Sequence, residues 1–475
     1  MTKFRTLLLL TCALLTLVVS PANTQTDSAK ARKKTATATP GQVKHVILVS
    51  IDSLMPEVYL TPDAHGLKIP NLRELARNGA YSTGVRTVFP ASTYPAHTSI
   101  VTGVNPATHG IVKNRPDDPM NVLGDAMPFY TEDIRVPTLY QAAEAKGLRT
   151  ALVYWPVTMG AKVDAIVPEF WRSQDGSVED QKLQRVISTP GLLEAVAKRF
   201  PDFYDGFKPP RVEDKPPGDI AVHLIETLKP NLLLVHMFDV DHTTHNEGIF
   251  SEKAKEKIEI ADAQVGRMIE AAKRAGTWSS TVVVFVSDHG MIPYQRRVRP
   301  GVWLKDAGLV TLDSANRVKD YKVWLYTAGG SAFIYLRDEN DEETKQRVLA
   351  LFRERLAATN PRISRIYSRE ELRAAGADPR PFIAIEAGKG VDLASGYSGD
   401  VEYGNYNRAG HGHNPENPAL NSSLIFYGPS IAAGQIVGAR VIDIAPTIAP
   451  LLGLRMEKAE GRPLSLPRKT VPAGR

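Results

Sequence analysis

Cysteine is almost absent from this chain: among its 475 residues there is one, Cys12. It lies in an apolar run near the amino terminus, within a segment that we expect to be removed from the mature protein. This excludes a framework of disulfide bonds and any thiol chemistry in the mature chain. The sequence also contains no internal repeat.

Long apolar segments are scarce as well, and the one near the amino terminus is short. Lys3 and Arg5 precede the run from Leu7 to Leu15, and Ser20-Pro21-Ala22 offers small residues for cleavage. This is the pattern of a secretory signal peptide, and the run is too short to span a membrane permanently. We therefore predict a signal peptide at residues 1–22, a secreted or periplasmic location, and no stable membrane span.

The body of the chain also lacks an excess of charge of one sign. The formal net charge is +6, but residues 1–22 contribute two of these positive charges and residues 23–43 contribute three. The remainder is close to neutral, which gives no support to specific nucleic-acid binding. The segment 23–43 is rich in alanine and threonine, so we predict a basic, flexible linker there.

Apolar runs alternate with helical patterns along most of the chain. Four such runs begin at Val46, Thr150, Leu232 and Val282, and apolar residues recur at helical spacing in residues 251–275. Continuous apolar runs are typical of strands buried on both faces of a parallel sheet. The alternation predicts an α/β fold with a doubly wound, mostly parallel sheet flanked by helices.

Three of the apolar runs end in acidic residues. Asp52 closes the first run, the pair Asp239 and Asp241 follows the third, and Asp288 precedes His289 after the fourth. Each aspartate alone is more often a turn former or a helix cap. Because open α/β sheets bind their ligands at the carboxyl ends of the strands, we expect these acids to converge there.

Histidines accompany the acids at spacings that suit metal binding. In Asp241-x-x-x-His245 both side chains can meet on one helical turn, and His411 lies in a glycine-rich loop. For His411 alone, a surface histidine is an equally good interpretation. So much negative charge at one edge requires cations, which two divalent metals would supply. Zinc is our first choice and manganese the second, because only hard and borderline ligands are present.

A hydroxyl residue lies at the predicted start of another helix. Tyr94-Pro95 can open this helix and Gly103 can end it, which leaves Thr93 at the amino terminus. Free backbone N–H groups and the helix dipole attract an anion there, and a hydroxyl can attack a phosphate that they hold. The simpler interpretation is that Ser92 or Thr93 only caps the helix.

Several motifs follow one another along residues 44–455. They are Val49-Ser50-Ile51-Asp52, Pro70-Asn71-Leu72 with Gly79, Thr93-Tyr94-Pro95-Ala96-His97, Thr102-Gly103, His109-Gly110-Ile111 with Asn114, Asp241 with His245, Ser287-Asp288-His289-Gly290, and His411-Gly412. Together they resemble the alkaline phosphatase superfamily, and within it the nucleotide pyrophosphatase/phosphodiesterase branch.

The resemblance implies a phosphodiesterase or nucleotide pyrophosphatase that acts through a phosphothreonine intermediate at a two-zinc site. Thr93 would be the nucleophile, Asn114 would bind a phosphoryl oxygen, and the substrate would be a small phosphate ester or a nucleotide. We expect Tyr94, Trp155 and Lys162 to contact that substrate. The implied ligands are Asp52, Thr93, Asp288 and His289 for the first zinc, and Asp241, His245 and His411 for the second.

Three positions depart from the pattern of this branch and bear on substrate choice. Ala96 replaces an asparagine, Val157 follows Trp-Pro where glycine is frequent, and His413 replaces a tyrosine after His-Gly. None of the three is an implied metal ligand.

The order of strand-like and helical segments also suggests domain borders. We predict a catalytic α/β domain at residues 44–296 and 401–455, and a tail at 456–475. Residues 297–400 combine strand-like and helical segments differently, which suggests a smaller inserted α+β subdomain.

Two other functions remain open at this stage. A phosphomonoesterase would use the same site but needs further cationic groups for a dianionic phosphoryl group, which Lys162 and Arg172 could supply. A secreted, non-catalytic phosphate-binding protein is the alternative from a different class. Sulfatases are disfavoured because they use a modified cysteine or serine where this chain has Thr93. Cofactor-independent phosphoglycerate mutases are disfavoured as well, because they use serine and are cytosolic, whereas this chain has Thr93 and a predicted signal peptide.

Overall fold

The computed structural model describes residues 42–124, 126–170, 178–207, 213–405 and 408–469. The predicted signal peptide, nearly all of the predicted linker and Arg172 lie outside these ranges. All described residues belong to one compact unit. Within the described ranges, no helix combines the length and the apolar character needed to cross a membrane.

The described part of the chain contains nineteen strands and fourteen α-helices. The strands are β1 (His45–Ile51), β2 (Ala80–Ser82), β3 (Thr150–Val153), β4 (Ala165–Val167), β5 (Leu232–Met237), β6 (Thr281–Val286), β7 (Ile292–Tyr294), β8 (Arg296–Val298), β9 (Val310–Leu312), β10 (Val318–Tyr321), β11 (Val323–Thr327), β12 (Ser331–Leu336), β13 (Ile363–Ser368), β14 (Ile383–Ala387), β15 (Val391–Leu393), β16 (Glu402–Tyr403), β17 (Arg408–Gly410), β18 (Leu424–Tyr427) and β19 (Gly434–Ile436). The helices are α1 (Glu57–Leu60), α2 (Pro70–Asn78), α3 (Thr93–Thr102), α4 (Pro106–His109), α5 (Leu139–Ala145), α6 (Val178–Ile187), α7 (Leu192–Arg199), α8 (Lys215–Thr227), α9 (Asp239–Glu247), α10 (Glu252–Arg274), α11 (Pro300–Asp306), α12 (Glu342–Leu356), α13 (Arg369–Ala374) and α14 (Ile444–Leu451).

Eight strands form the central sheet, in the order β19-β2-β18-β6-β1-β5-β3-β4. Strand β1 runs parallel to both β5 and β6, and β3 runs parallel to β5 and β4. Strand β18 is antiparallel to β6 and to β2. The prediction of a mostly parallel sheet is confirmed.

Helices cover both faces of this sheet, and each face has its own apolar core. Helices α2 and α10 pack on one face through side chains such as Leu72 and Ile258. Helices α3 and α14 pack on the other face through side chains such as Ile100 and Ile448. Every residue of β5 and β6 is therefore buried, which explains why their sequences are mostly apolar. The doubly wound arrangement is confirmed.

A second, smaller sheet lies within the predicted insertion. Its four strands are antiparallel and follow the order β11-β12-β14-β13. Helix α12 packs against it through Val348 and Phe352. Phe333 of this sheet contacts Phe89, which precedes the start of α3, with ring centroids 5.4 Å apart. The insertion thus has the α+β character that the sequence predicts, and it touches the segment leading to Thr93.

The fold brings the acidic ends of three strands to one edge. Strands β1, β5 and β6 are parallel neighbours, so their carboxyl ends lie side by side. Asp52 follows β1, helix α9 begins soon after β5, and Asp288 follows β6. The candidate site is built on this edge, as expected for an open α/β sheet.

Candidate active site

Thr93 is the first residue of helix α3. The residue before it, Ser92, makes no side-chain capping bond, and Gly103 ends the helix in the left-handed conformation with a φ of 73°. From Ala91 to Thr102, Thr93 alone is partly exposed, and every other residue is buried. The Oγ1 atom of Thr93 lies 3.5 Å from Nε2 of His289. The hydroxyl therefore faces the acidic edge of the sheet.

Asp52, Asp288 and His289, which we call the inner group, come directly from the ends of β1 and β6. Nε2 of His289 lies 3.1 Å from Oδ2 of Asp288 and 3.6 Å from Oδ1 of Asp52. The other oxygen of Asp288 accepts a hydrogen bond from the backbone N–H of Ser53 at 3.0 Å. The ligand atoms of these three residues lie close enough together to hold one metal ion.

Asp241, His245 and His411, which we call the outer group, lie beside the inner one. Asp241 and His245 share helix α9, and His411 follows β17. Oδ1 of Asp241 lies 3.5 Å from Nε2 of His245 and 3.8 Å from Nε2 of His411. The rings of His289 and His411 stack with centroids 3.9 Å apart, so the two groups are contiguous. Among the described residues, the second set of ligand atoms close enough to hold one ion is that of Asp241, His411 and His289, and His245 is not part of it.

Backbone carbonyl groups orient all three histidines of the cluster. Nδ1 of His245 donates to the carbonyl of Ala409 at 2.9 Å, and Nδ1 of His411 donates to that of Ala91 at 2.8 Å. Nδ1 of His289 lies 3.2 Å from its neighbour's carbonyl. Because Nδ1 carries the proton in each ring, the lone pair of Nε2 is directed toward the carboxylates. This is the arrangement of histidines that bind a metal.

The electrostatics of the cluster fit divalent cations. Burial raises the pKa of the Asp52 carboxyl well above its usual range, and the carboxylates of Asp288 and Asp241 raise it further. Burial also lowers the pKa of His289 to about 3, which keeps its ring neutral. Within the described part of the chain, the buried atoms Oδ1 of Asp52 and Oδ2 of Asp288 have no hydrogen-bond partner. Crowded carboxylates and neutral imidazoles are a suitable donor set for zinc or manganese.

Asn114 lies beside the start of α3. Its Oδ1 accepts a hydrogen bond from the backbone N–H of Tyr94 at 3.0 Å. The Nδ2 group of Asn114 is therefore the one that can donate to a phosphoryl oxygen. We expected Tyr94 to contact the substrate, but its backbone N–H is already engaged by Oδ1 of Asn114.

The structure does not bring the predicted substrate-contacting side chains to the site. Trp155 has no exposed surface and packs edge-on against His97, with ring centroids 5.0 Å apart. Tyr94 is also buried, and its hydroxyl donates to Glu169 at 2.6 Å. Lys162 is exposed, but the nearby Asp164 pairs with Thr150, the first residue of β3. Lys162 thus lies near the amino end of the sheet, opposite the cluster. The structure therefore contradicts the predictions for Trp155 and Lys162, whereas for Tyr94 only the side chain is shown to point away from the site.

A buried network that the sequence analysis missed supports the inner group. Nε2 of His236 lies 3.2 Å from Oδ2 of Asp52, and its Nδ1 lies 2.9 Å from Glu169, which also accepts from Tyr94. Burial alone would lower the pKa of His236, yet the hydrogen bonds with Asp52 and Glu169 raise it well above its usual value. His236 interrupts the apolar run of β5, and a polar residue in a fully buried strand was the signal available in the sequence.

Asp239 does not join the cluster, although the sequence analysis grouped it with Asp241. Its Oδ2 accepts a hydrogen bond from the backbone N–H of Asp214 at 3.1 Å. In return, Oδ1 of Asp214 accepts from the N–H groups of Phe238 and Asp239, at 2.8 and 3.2 Å. The two aspartates fix the start of α9, and this positions Asp241 indirectly.

The same residues are matched by a model of a known protein family. A family model described as type I phosphodiesterase / nucleotide pyrophosphatase matches residues 46–414. The chain belongs to this family. The match includes every implied metal ligand, Thr93 and Asn114, and it includes the whole insertion.

Relatives of this phosphodiesterase family agree with that assignment. Human ectonucleotide pyrophosphatase/phosphodiesterase family member 1 is 24% identical over 249 residues, which are 52% of this chain and 23% of the relative. The matched part is therefore a minor share of that relative's length. Among solved structures, murine ectonucleotide pyrophosphatase/phosphodiesterase 5 is similar with a TM-score of 0.60 and 21% identity, and the match covers 89% of this chain and 97% of that one. An inactive threonine-to-alanine variant of the murine protein in complex with AMP gives a TM-score of 0.59 at 21% identity, covering 89% and 97% of the two chains.

The departures from the phosphodiesterase pattern have structural counterparts. Val157 adopts a φ of 58°, a conformation that favours glycine, which is the residue frequent at this position. His413 packs so closely against Gly330 that a Cβ atom there would lie 1.9 Å from its Nδ1. The histidine in place of tyrosine is thus accommodated by a glycine of the insertion. Ala96 is fully buried in α3.

Proposed function

We propose that this protein is a metal-dependent hydrolase of phosphoric diesters, a phosphodiesterase or nucleotide pyrophosphatase, with Thr93 as nucleophile. The observation that carries the proposal is the position of the Thr93 hydroxyl, 3.5 Å from Nε2 of His289 at the partly exposed start of α3. A hydroxyl between a helix amino terminus and a group of metal ligands is suited to attack phosphorus.

Two divalent cations, zinc or alternatively manganese, are part of this proposal. Asp52, Asp288, His289 and the Thr93 oxygen would hold one, and Asp241, His245 and His411 would hold the other. When bound, the ions supply Lewis-acid activation and neutralise the buried carboxylates. The buried oxygens of Asp52 and Asp288 that lack a hydrogen-bond partner in the described structure support this assignment.

The reaction proceeds in two displacements. In the first, Oγ1 of Thr93 bonds to phosphorus as the bond to the leaving-group oxygen breaks. Thr93 gives its proton to solvent, and the leaving group takes one from solvent. The Nδ2 group of Asn114 binds a non-bridging oxygen as negative charge develops there. In the second displacement, the oxygen of a water molecule bonds to phosphorus as the bond to the threonine oxygen breaks. The water gives a proton to solvent, the threonine oxygen takes one, and the product phosphate ester is released.

A nucleotide or another small phosphate ester is the substrate that we propose. The names of the relatives and the AMP complex of the murine variant support a nucleotide. A phosphomonoesterase would need additional cations beside the phosphate, and Lys162 lies toward the opposite end of the sheet. We therefore favour diesters over monoesters.

The test compares kcat/KM of the zinc-loaded enzyme for bis-p-nitrophenyl phosphate, a nucleotide p-nitrophenyl ester and p-nitrophenyl phosphate. We expect both diesters to be preferred. Thr93→Ala should lower kcat/KM by about 10³-fold or more while zinc content stays the same. Thr102→Ala, which removes a buried hydroxyl from the same helix, is the matched control. A preference for the monoester would overturn the diester assignment, and near-normal turnover of Thr93→Ala would overturn the nucleophile.

A secreted or periplasmic location belongs to the same proposal. It is supported by the signal-like pattern of residues 1–22 and by the ectonucleotide relatives. Sequencing the amino terminus of the exported protein tests it. Cleavage close to Ala22 is the expected result, and a mature protein that retains Met1 would argue against it.

A further inference from the structure

The inserted sheet presents a row of aromatic side chains to the loop that carries Asn114. In the antiparallel pair β11–β12, Trp324 lies opposite Tyr335, and Tyr326 lies opposite Phe333. Directly paired residues lie on one face of a sheet, so these four rings share a side. The rings of Trp324 and Tyr335 stack with centroids 4.1 Å apart and planes within 8°. Trp324 and Tyr326 remain partly exposed.

Lys113, which lies next to Asn114, contacts this aromatic face. Its Nζ lies 4.7 Å from the ring centroids of Trp324 and Tyr335 and 5.2 Å from that of Tyr326. The side chain is buried, and a cation is attracted to aromatic faces more strongly where water is excluded. Because Lys113 directly precedes Asn114, these contacts fix Asn114 relative to the insertion.

A direct hydrogen bond joins the insertion to Asn114. The phenol oxygen of Tyr326 accepts a hydrogen bond from the backbone N–H of Asn114 at 3.1 Å. Oδ1 of Asn114 in turn accepts from the N–H of Tyr94, which follows Thr93. Two hydrogen bonds therefore connect the phenol to the residue next to the nucleophile. The hydroxyl of Tyr326 therefore lies beside the backbone of Asn114, the residue implied to bind a phosphoryl oxygen.

The phenol of Tyr326 has a proton to donate. An oxygen that accepts one hydrogen bond can still donate its own O–H. Among the described residues, we find a donor to this oxygen but no acceptor for its proton. Burial raises the pKa of Tyr326 to about 12, so the phenol stays protonated at neutral pH. The Tyr326 hydroxyl is therefore a neutral donor for which the described residues provide no acceptor.

We propose that the Tyr326 phenol donates a hydrogen bond to a non-bridging oxygen of the substrate, beside the Asn114 amide. The phenol would serve in place of the Tyr94 N–H, which already donates to Oδ1 of Asn114. The proposal rests on the proposed function and deepens it, because two neutral donors suit the single, delocalised charge of a phosphodiester. Such a bond strengthens as charge moves onto the oxygen, so it acts on kcat more than on binding of the ground state.

The first test is Tyr326→Phe, which removes only the hydroxyl. For bis-p-nitrophenyl phosphate we expect kcat to fall by about 10- to 100-fold, with KM within about twofold and zinc content unchanged. Tyr397→Phe is the matched control, because the Tyr397 oxygen accepts the N–H of Leu325 in the same strand β11. The control should keep wild-type kcat. A Tyr326→Phe enzyme with wild-type kcat would overturn the proposal.

A double-mutant cycle separates substrate contact from mere positioning of Asn114. If Tyr326 acts only through Asn114, Tyr326→Phe has no further effect in an Asn114→Ala background. If it contacts the substrate, kcat falls again, by about threefold or more. No further loss would overturn the direct contact.

Binding to the zinc-loaded protein gives a readout that does not depend on turnover. Orthovanadate mimics the five-coordinate phosphorus of the transition state, and inorganic phosphate mimics the ground state. By calorimetry, Tyr326→Phe should raise the Kd of orthovanadate about tenfold and that of phosphate by less than about threefold. Equal affinities of wild type and variant for orthovanadate would overturn the inference. Failure of the wild type to hydrolyse any diester would instead overturn the proposed function and leave this binding comparison intact.

Discussion

The inner and outer groups of the cluster differ in how the fold holds them. The side chains of Asp288 and His289 are 0% exposed, and both follow a central strand directly. In the outer group, the side chain of His245 is 34% exposed and that of Asp241 is 18% exposed. These two residues belong to a short helix whose start is fixed by Asp214 rather than by the sheet itself.

The inner group therefore holds buried negative charge, whereas the outer group is accessible to solvent. The inner group concentrates carboxylates where water cannot screen them, so it depends most on a bound cation. The outer group is closer to solvent, so water screens its charge better, and we expect a cation held there to exchange more easily. We expect substitutions in the two groups to differ in size and in whether excess zinc reverses them.

The largest effect is expected from Asp288→Asn in the inner group. Activity should fall by at least about 10³-fold, because Lewis-acid stabilisation is worth several kcal/mol. In metal-free protein the same variant should raise Tm by a few degrees, since it removes one of the crowded charges near Asp52. Calorimetry with and without a chelator, alongside zinc analysis, measures both effects.

Asp262→Asn is the control for that substitution. Asp262 is also buried, but its carboxylate accepts the N–H groups of Asn71 and Leu72 at the start of α2. Here the metal-free protein should lose stability. An Asp288→Asn protein that bound zinc and kept its turnover would remove the basis for the comparison.

A smaller and reversible effect is expected from His245→Ala in the outer group. Activity should fall by about 10- to 100-fold, the scale seen when a metal site is weakened but not destroyed. Raising the zinc concentration should restore part of it, as measured by zinc titration of kcat. His242→Ala, on the same helix, is the control, because its ring contacts Asn246 instead. If zinc rescued Asp288→Asn and not His245→Ala, the two groups would have been ranked the wrong way round.

The smallest effect is expected from Tyr94→Phe. This removes the hydroxyl that donates to Glu169 and leaves the aromatic ring in place. Because the described hydrogen bonds connect this network to Asp52 through His236, kcat should fall by no more than about tenfold, with KM unchanged. Tyr140→Phe, which loses a hydrogen bond to Thr131, is the control and should keep wild-type kinetics. A loss as large as that of Asp288→Asn would show that the network does more than support the inner group.

The sequence predicted the position of a residue correctly where its place in a strand or helix determines that position. Asp52 and Asp288 could be assigned to one edge because parallel strands of a buried sheet all end on the same side. Asp241 and His245 could be paired because a helix brings residues four apart together, and α9 does so. The fold class followed from the same periodicities.

The sequence does not reveal where a side chain points or which distant residue it contacts. Trp155 follows a strand that ends at the site, but no local pattern reveals that its ring turns into the core. Lys162 was misplaced because the chain returns to the far side of the sheet before β4. Tyr326 was missed because its contact with Asn114 joins residues more than two hundred positions apart.

The insertion begins and ends at neighbouring strands. Strand β8 leads into it, and β16, where the chain returns, pairs antiparallel with β8. Between these strands, the backbone N–H of Gly330 donates to the carbonyl of His411. A segment of another size could join the same two ends, but without this bond the loop that carries His411 would lose a support. Any replacement for the predicted insertion would therefore have to keep a donor in the place of the Gly330 N–H.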